Sequence, residues 1–103
     1  MATVNIVLSK CEGRSVGGEE MPVMAARSIA DKTISSSSST QTGGITATGG
    51  DQMWRIVASG NDVYVRFGDS PEAASGAGWL LKDGVPETFS AEADQQVAFI
   101  DAA

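Results

Sequence analysis

The side chains that most often carry catalysis or bind metals are sparse in this sequence. It contains no histidine, which removes the commonest general base and the usual ligand of zinc and haem. Cys11 is the only cysteine, so no second thiol or histidine can activate it. The glycines match no phosphate-binding loop, and the serines lie in no G-x-S-x-G elbow. We therefore expect no catalytic residue and no cofactor.

Aspartates are the remaining candidates for metal binding. Four of them, Asp51, Asp62, Asp69 and Asp83, fall in predicted turns, where carboxylate oxygens can coordinate a hard cation. Their spacing does not match the D-x-D-x-D-G pattern of a calcium loop. Aspartate is favoured in turns for its hydrogen bonds to the local backbone. We therefore expect no metal site.

The most regular pattern is QMWRIVASGNDVYVRF, residues Gln52–Phe67. A two-residue turn at Gly60-Asn61 predicts an antiparallel hairpin of the type that begins with glycine. The opposed pairs on one face are then all apolar: Trp54/Phe67, Ile56/Val65 and Ala58/Val63. The other face is mixed, as expected when only one side of a hairpin is buried.

The mixed face of this predicted hairpin is the candidate interface, formed by Arg55, Val57, Tyr64 and Arg66. Like charges opposed across two strands are destabilising unless something neutralises them. Arginine beside tyrosine and an aliphatic side chain is typical of a protein–protein contact. Alternatively, acids of the same chain, such as Glu87 or Asp101, neutralise the two arginines within the sheet.

Composition excludes several classes of function. The net charge is −6 and the seven basic residues are scattered, so we expect no nucleic-acid binding. No apolar run approaches the roughly 20 residues that span a bilayer, so we expect no membrane partner. The first residues lack the pattern of a secretory signal. One cysteine excludes an internal disulfide and suits assembly inside a cell.

The elements around the hairpin predict an all-β fold. Short strands are expected over Thr3–Leu8, Trp79–Leu81, Pro86–Ser90 and Gln95–Asp101. About six to eight short antiparallel strands with glycine-rich turns describe a β-sandwich or a jelly-roll-like barrel. The chain length, residues 1–103, predicts a single domain.

Two regions leave the sequence interpretation open. In the N-terminal arm or strand region, residues 1–30, we expect a loop over Lys10–Glu20, and Met21–Ile29 is compatible with helix or strand. The Ser/Thr/Gly-rich segment, residues 31–50, is either a linker or a pair of edge strands joined by a mobile loop. We favour edge strands at Thr33-Ile34 and Ile45–Ala47, because each half of the chain is too small to fold alone.

The order of motifs from Thr33 to Asp101 resembles that of small virion proteins of tailed bacteriophages and prophages. The motifs are TISSSSS, ITATG, WRIVAS, VYVRFG, PEAA, WLL, GVPETF and VAFI, at Thr33–Ser39, Ile45–Gly49, Trp54–Ser59, Val63–Gly68, Pro71–Ala74, Trp79–Leu81, Gly84–Phe89 and Val97–Ile100. The first thirty residues have no counterpart in this pattern.

This resemblance implies a non-enzymatic structural subunit of a phage virion, assembled in the host bacterial cytoplasm. The main role it implies is capsid decoration, as a cement protein, in a homo-oligomer that contacts the major capsid protein or other virion proteins. A head–tail component is an alternative, as is a receptor- or carbohydrate-binding module on a fibre or spike. In the latter, Tyr64 is the aromatic platform that we expect to be exposed, since Trp54 and Trp79 lie in apolar patterns.

Overall fold

A computed structural model gives the backbone of residues 1–16, 19–49 and 51–102, and the side chains of 1–11, 27–49 and 51–102. The described residues form eight β-strands and no helix. These are β1 Thr3–Val16, β2 Glu19–Ser35, β3 Gln41–Thr42, β4 Gln52–Ser59, β5 Val63–Gly68, β6 Trp79–Leu81, β7 Glu87–Ser90 and β8 Gln96–Asp101. The all-β prediction is confirmed.

The strands form two four-stranded sheets that pack as a small β-sandwich. Sheet A has the order β2-β1-β4-β7 and sheet B the order β3-β8-β5-β6, with antiparallel pairing in both. On one lateral side, Trp79 of β6 contacts Phe89 of β7. On the other side, Ser36 follows β2 and hydrogen-bonds Asp101 of β8. The two sides are called the β6–β7 side and the β2–β3 side.

The core lies between the sheets and is built by alternation along the strands. The inward side chains of sheet A are Val4, Ile6, Leu8, Trp54, Ile56 and Ala58, and those of sheet B are Val63, Val65, Leu81, Val97 and Phe99. None is more than 1% exposed. Full burial of one such aliphatic or aromatic side chain stabilises a fold by roughly 1.5–3 kcal/mol.

The predicted hairpin between β4 and β5 is wrong. Strand β4 pairs with β1 and β7, whereas β5 pairs with β6 and β8, so the strands flanking Gly60 lie in opposite sheets. Their connection is an arch between the sheets. The apolar set is buried nonetheless, except that Phe67 is only partly so. In an arch, as in a hairpin, the apolar faces of both strands are turned toward the same core. The pattern of buried residues therefore does not distinguish an arch from a hairpin.

The β1–β2 hairpin extends beyond the sandwich. β1 pairs with β4 only over Thr3–Lys10, but its pairing with β2 continues from Cys11↔Met24 to Val16↔Glu19. Six further residues at about 3.3 Å each add about 20 Å. The molecule is accordingly 46 Å long against 26 Å in the next direction. We call this two-stranded ribbon, residues 11–16 and 19–27, the β1–β2 arm.

The N-terminal region therefore differs from the sequence expectation. The predicted loop over Lys10–Glu20 is wrong for residues 10–16 and 19–20, which lie in strands, while residues 17–18 lie outside the described residues. Met21–Ile29 is a strand rather than a helix. Backbone pairing between β1 and β2 provides ladder hydrogen bonds that the irregular, glycine-containing sequence did not indicate. Strand β1 is an inner strand of sheet A.

The Ser/Thr/Gly-rich segment packs against the sandwich, so the linker alternative is wrong. Thr33-Ile34 lies in the edge strand β2, as predicted. Ile45–Ala47 is not a strand, but Ile45 and Ala47 are buried, and the Ala47 N–H donates to the Gln95 carbonyl at 2.9 Å. Ser36 is also buried. This segment therefore covers the edge of the sandwich through isolated hydrogen bonds and single buried side chains, not through a continuous β-ladder.

Candidate functional site

The four residues of the predicted interface do not form one surface. Arg55 and Val57 are the outward positions of β4, on the outer face of sheet A. Tyr64 and Arg66 are the outward positions of β5, on the outer face of sheet B. The two pairs therefore lie on opposite faces of the sandwich, because β4 and β5 belong to different sheets. The predicted opposition of the two arginines is wrong.

Neither arginine is neutralised by the acids considered from the sequence. In the part of the chain that the structure describes, no carboxylate lies within 4 Å of the Arg55 or Arg66 guanidinium. Glu87 is opposite Ile56 in the β4–β7 register, and Asp101 accepts a hydrogen bond from Ser36. Both guanidinium groups are thus exposed and free to meet an outside partner or water.

Exposed apolar side chains instead mark the strand β6 and the turn after it. Trp79 is 61% exposed, Leu80 43% and Val85 46%. Leu81 is buried, and Trp79 lies on the same face of β6 at the open rim between the sheets, whereas Leu80 lies on the outer face of sheet B beside Tyr64. Large apolar side chains that stay exposed on an edge strand and on the turn after it make this region a candidate docking surface. We call Trp79, Leu80 and Val85 the β6–β7 edge.

The position of Trp79 is set by a chain of aromatic contacts that leads into the core. Its ring centroid lies 5.6 Å from that of Phe89, which lies 4.9 Å from Phe67. Phe67 in turn lies 6.4 Å from Trp54, which is fully buried. The Trp54 indole N–H donates to Gln95 Oε1 at 2.8 Å, which fixes the inner end of the chain. Trp79 is thus an ordered platform rather than a loose side chain.

Gly78 allows β6 to lie close to β5. Its φ is +87°, and a Cβ there would lie 2.5 Å from the Val65 carbonyl oxygen and 2.9 Å from Arg66 Cγ. Only glycine fits such a close approach with a positive φ. The next residues then pair as Trp79↔Val65 and Leu80↔Tyr64. Tyr64, one of the predicted interface residues, therefore adjoins the β6–β7 edge.

The turn that carries Val85 is tied to the arch between the sheets. The Gly84 N–H donates to the Ala58 carbonyl at 2.7 Å, and the Gly60 N–H donates to Asp83 Oδ1 at 2.8 Å. Asp62 accepts from the Asp83 N–H at 2.7 Å and pairs with Lys82 at 3.1 Å. The hydrogen bond from Asp83, and then Lys82, lower the pKa of Asp62. These contacts hold the edge in place after β6 ends.

A cavity lies at the end of sheet B that is remote from the arch. It is a cavity of about 340 Å³, lined mainly by Thr40, Thr42, Asp69, Ser70, Glu72 and Gln96. These groups offer hydroxyl, amide and carboxylate oxygens but no paired nucleophile and base. The described side chains contain no group of three or more His, Cys, Asp or Glu that could hold a metal ion. The lining of this cavity is therefore suited to polar contacts.

Sequence reasoning missed the β6–β7 edge because a WLL run is compatible with a buried strand. The signal that distinguishes the two cases is the position of β6 at the end of sheet B, which the sequence does not encode locally. Within the described ranges, no helix is long and apolar enough to cross a membrane. In comparisons with known proteins, the chain matches no family model, no curated protein and no solved structure.

Proposed function

We propose that this chain is a non-enzymatic structural subunit that attaches to other protein chains through the β6–β7 edge. The observation that carries the proposal is the exposure of Trp79, Leu80 and Val85, which lie within seven residues of one another. Tryptophan is among the residues that contribute most to binding when a partner covers it. The sequence supplies no histidine, and this supports a binding role over an enzymatic one.

The setting that we propose is a phage virion, with capsid decoration as the role. Its support is the order of motifs from Thr33 to Asp101, which resembles that of small virion proteins. A decoration subunit folds alone and then attaches to many equivalent positions, so that modest contacts combine into firm attachment. A compact sandwich with one apolar edge suits that task, and the net charge of −6 keeps the free subunit soluble.

The size of the proposed contact can be estimated from the exposed side chains. Full burial of a leucine or valine contributes roughly 1.5–3 kcal/mol, and about half of each side chain is still available for burial. Covering Leu80 and Val85 then contributes about 2 kcal/mol. Covering Trp79 adds at least about 2 kcal/mol. Loss of all three corresponds to roughly a thousandfold weaker attachment.

The test is attachment of purified protein to phage particles that lack it. The variant Leu80→Ser, Val85→Ser should bind about thirtyfold more weakly than the unmodified chain, with a melting temperature close to unmodified. Ile29→Ser is the matched control, because it removes a similarly exposed apolar side chain from the β2–β3 side of the sandwich. Equal binding by all three proteins would contradict the proposal.

Location is tested separately by electron microscopy of particles labelled with an antibody to this chain. Label spread over the capsid shell supports decoration. Label at the neck or at the fibre tips would replace decoration with a head–tail or fibre role, while leaving the docking edge in place. Absence of label from intact and disrupted particles would contradict a virion protein of any kind.

A carbohydrate-binding role is the second candidate, and the exposure of Trp79 favours it. The sequence predicted Tyr64 as the exposed platform, but Trp79 is 61% exposed as a residue and its ring is in contact with Phe89. Sugar rings commonly stack on such an aromatic face through their apolar C–H groups. Glycan-array binding that Trp79→Ser abolishes and Leu80→Ser preserves would favour this role over protein docking.

A further inference from the structure

We propose that two copies of this chain join edge to edge through β6, so that their B sheets form one continuous sheet. This inference rests on the proposed function, because it names a second copy as the chain that the β6–β7 edge binds. Three features of β6 carry it: an unpaired backbone edge, apolar side chains that match in an antiparallel register, and charges of opposite sign at the two ends of the strand.

Strand β6 has a backbone edge that is free to pair. In the part of the chain that the structure describes, β6 pairs only with β5, from Trp79↔Val65 to Leu81↔Val63, and it ends the strand order of sheet B. Alternate N–H and C=O groups of such an edge point away from the sheet, where another strand can complete their hydrogen bonds. A second copy offers an identical edge.

The exposed side chains of β6 lie on both faces of the strand. Trp79 lies on the inner face at the rim between the sheets, where its ring contacts Phe89, whereas Leu80 lies on the outer face beside Tyr64. Their exposed fractions are 61% and 43%. A partner on one face of sheet B would cover only one of these two side chains. A strand placed beside β6 contacts both, because its own side chains alternate between the same two faces.

The sequence of β6 matches itself in one antiparallel register. With Leu80 at the two-fold axis, it lies opposite Leu80 of the second copy, and Trp79 lies opposite Leu81 of the second copy on the inner face. All opposed pairs within the strand are then apolar. Leu81 is 1% exposed and belongs to the core, so Trp79 of the second copy extends that core across the contact.

The two ends of β6 carry charges of opposite sign. Arg66 adjoins Gly78 at the start of the strand, and no carboxylate in the described part of the chain lies within 4 Å of its guanidinium. Two carboxylates, Asp62 and Asp83, and one ammonium group, Lys82, lie at the other end. Antiparallel pairing places the start of one β6 beside the end of the other, so the unpaired positive charge faces the net negative one. This attraction partly offsets the repulsion between two chains of net charge −6.

The longer edge strand β2 is protected against the same kind of pairing. A register shift between Leu8 and Ser9 marks a β-bulge in its pairing with β1, and Lys32 lies opposite Ile6, a core residue, on the inner face. Bulges and inward-facing charges keep an edge strand from pairing with another chain. Neither interrupts β6, whose three residues are all apolar and pair with β5 in a continuous register.

Disulfide trapping tests the register. The variant Cys11→Ser, Leu80→Cys carries one thiol per chain, which the two-fold register places opposite the same thiol of the second copy. Opposed residues in antiparallel strands have Cα atoms about 4.5–5.5 Å apart, a spacing that a disulfide spans. Under mild oxidation, its covalent dimer should form at least tenfold faster than that of Cys11→Ser, Ile29→Cys, whose thiol lies at a similarly exposed position on the β2–β3 side. Equal rates would overturn the proposal.

Sedimentation velocity tests reversible association of the unmodified chain. It should form a concentration-dependent dimer and nothing larger, because each copy has one β6 edge and the contact is symmetric. Association should weaken at least thirtyfold in Trp79→Ser, Leu80→Ser, and thermal melts should show that this variant is folded. An unmodified chain that stays monomeric at millimolar concentration would overturn the proposal. Species larger than a dimer would also overturn it, since a closed two-fold contact leaves no second β6 edge free.

Failure of this inference is distinct from failure of the proposed function. A monomeric unmodified chain, with particle binding still weakened in Leu80→Ser, Val85→Ser, removes the second copy as partner and leaves the edge to another virion protein. Undiminished particle binding by that double variant contradicts attachment through the edge, whether or not the dimer forms.

Discussion

The two lateral sides of the sandwich are closed in different ways. On the β2–β3 side, closure is polar: buried Ser36 accepts from the Ala2 N–H at 2.7 Å and donates to Asp101. On the β6–β7 side, closure is aromatic, with Trp79 and Phe89 bridging the sheets while Trp79 stays largely exposed. A satisfied polar closure requires nothing from outside. An aromatic closure leaves apolar surface that a partner can still bury, which is why we propose docking on the second side.

The largest effect is expected from Gly78→Ala, which should open the aromatic side. The added Cβ would meet the Val65 carbonyl at 2.5 Å, at a φ that side chains rarely adopt. Strain and displacement together should cost about 3 kcal/mol, or roughly 15 °C in melting temperature. Gly76→Ala is a matched control, because its φ is +85° and nothing lies within 4 Å. The control should cost only about 1 kcal/mol.

Equal losses in the two glycine variants would show that positive φ alone sets the cost and that β6 is not closely fitted against β5. A loss of docking in Gly78→Ala at temperatures where the domain remains folded would strengthen the comparison. It would show that docking through the β6–β7 edge requires Trp79 to be held in its position, and that the presence of its ring alone is not enough.

A smaller effect is expected on the polar side from Ser36→Ala. The change removes the acceptor of the buried Ala2 N–H and the donor to the partly buried Asp101, which keeps its ion pair with the N-terminal amine at 3.4 Å. The free energy of unfolding, measured by chemical denaturation, should fall by about 2 kcal/mol, because the buried N–H is left without a partner. Ser38→Ala, at an exposed position of the same tract, should stay within about 0.5 kcal/mol of the unmodified chain. Similar stability of the two serine variants would contradict a closure that depends on Ser36.

The smallest effect concerns the pH dependence of the turn beside the β6–β7 edge. The Asp83 N–H and Lys82 lower the pKa of Asp62 from the ordinary 3.8. A carboxyl whose folded pKa is lowered adds stability above its unfolded pKa and loses it as pH falls through the folded pKa. The melting-temperature difference between the unmodified chain and Asp62→Asn should therefore be largest at neutral pH and shrink below about pH 4.

Lys82→Gln separates the two causes of this lowered pKa. It removes the ion pair but retains the hydrogen bond from Asp83, which is the larger cause. The variant should therefore keep part of the acid sensitivity and lose its dependence on salt, since exposed ion pairs are screened. A melting-temperature difference for Asp62→Asn that is constant from pH 7 to pH 2 would contradict the lowered pKa.

Much of the fold could be predicted from the alternation of apolar residues, but the pairing of the strands could not. Alternation identified the buried positions of β4 and β5, including Trp54 and Val65, because a period of two specifies which side of a strand faces the core. It could not identify the neighbouring strands. A tight turn at Gly60 is equally compatible with a hairpin within one sheet and an arch between two, and the second occurs.

For the candidate site, too, the sequence predicted which side chains face outward but not which strands are neighbours. The sequence identified Arg55 and Arg66 as outward-facing, which is correct, but placed them together by assuming the wrong pairing. Trp79 was assigned to the interior because it precedes two leucines. Its exposure results from its place on the short terminal strand of sheet B, where no further strand covers it. That information depends on long-range topology, which no local pattern of residue types contains.

The pairing of distant segments has a consequence for the order of folding. β1 pairs with β4, as in Val4↔Ala58, and β3 pairs with β8, as in Gln41↔Phe99, so both contacts join residues more than fifty positions apart. Domains dominated by such contacts fold slowly, on a timescale of about milliseconds to seconds. During synthesis, the β1–β2 hairpin can form early, but sheet B cannot be completed until its inner strand β8 has left the ribosome. For that interval the apolar face of β1 has no complete opposing sheet to bury it, and surface of this kind is prone to aggregation.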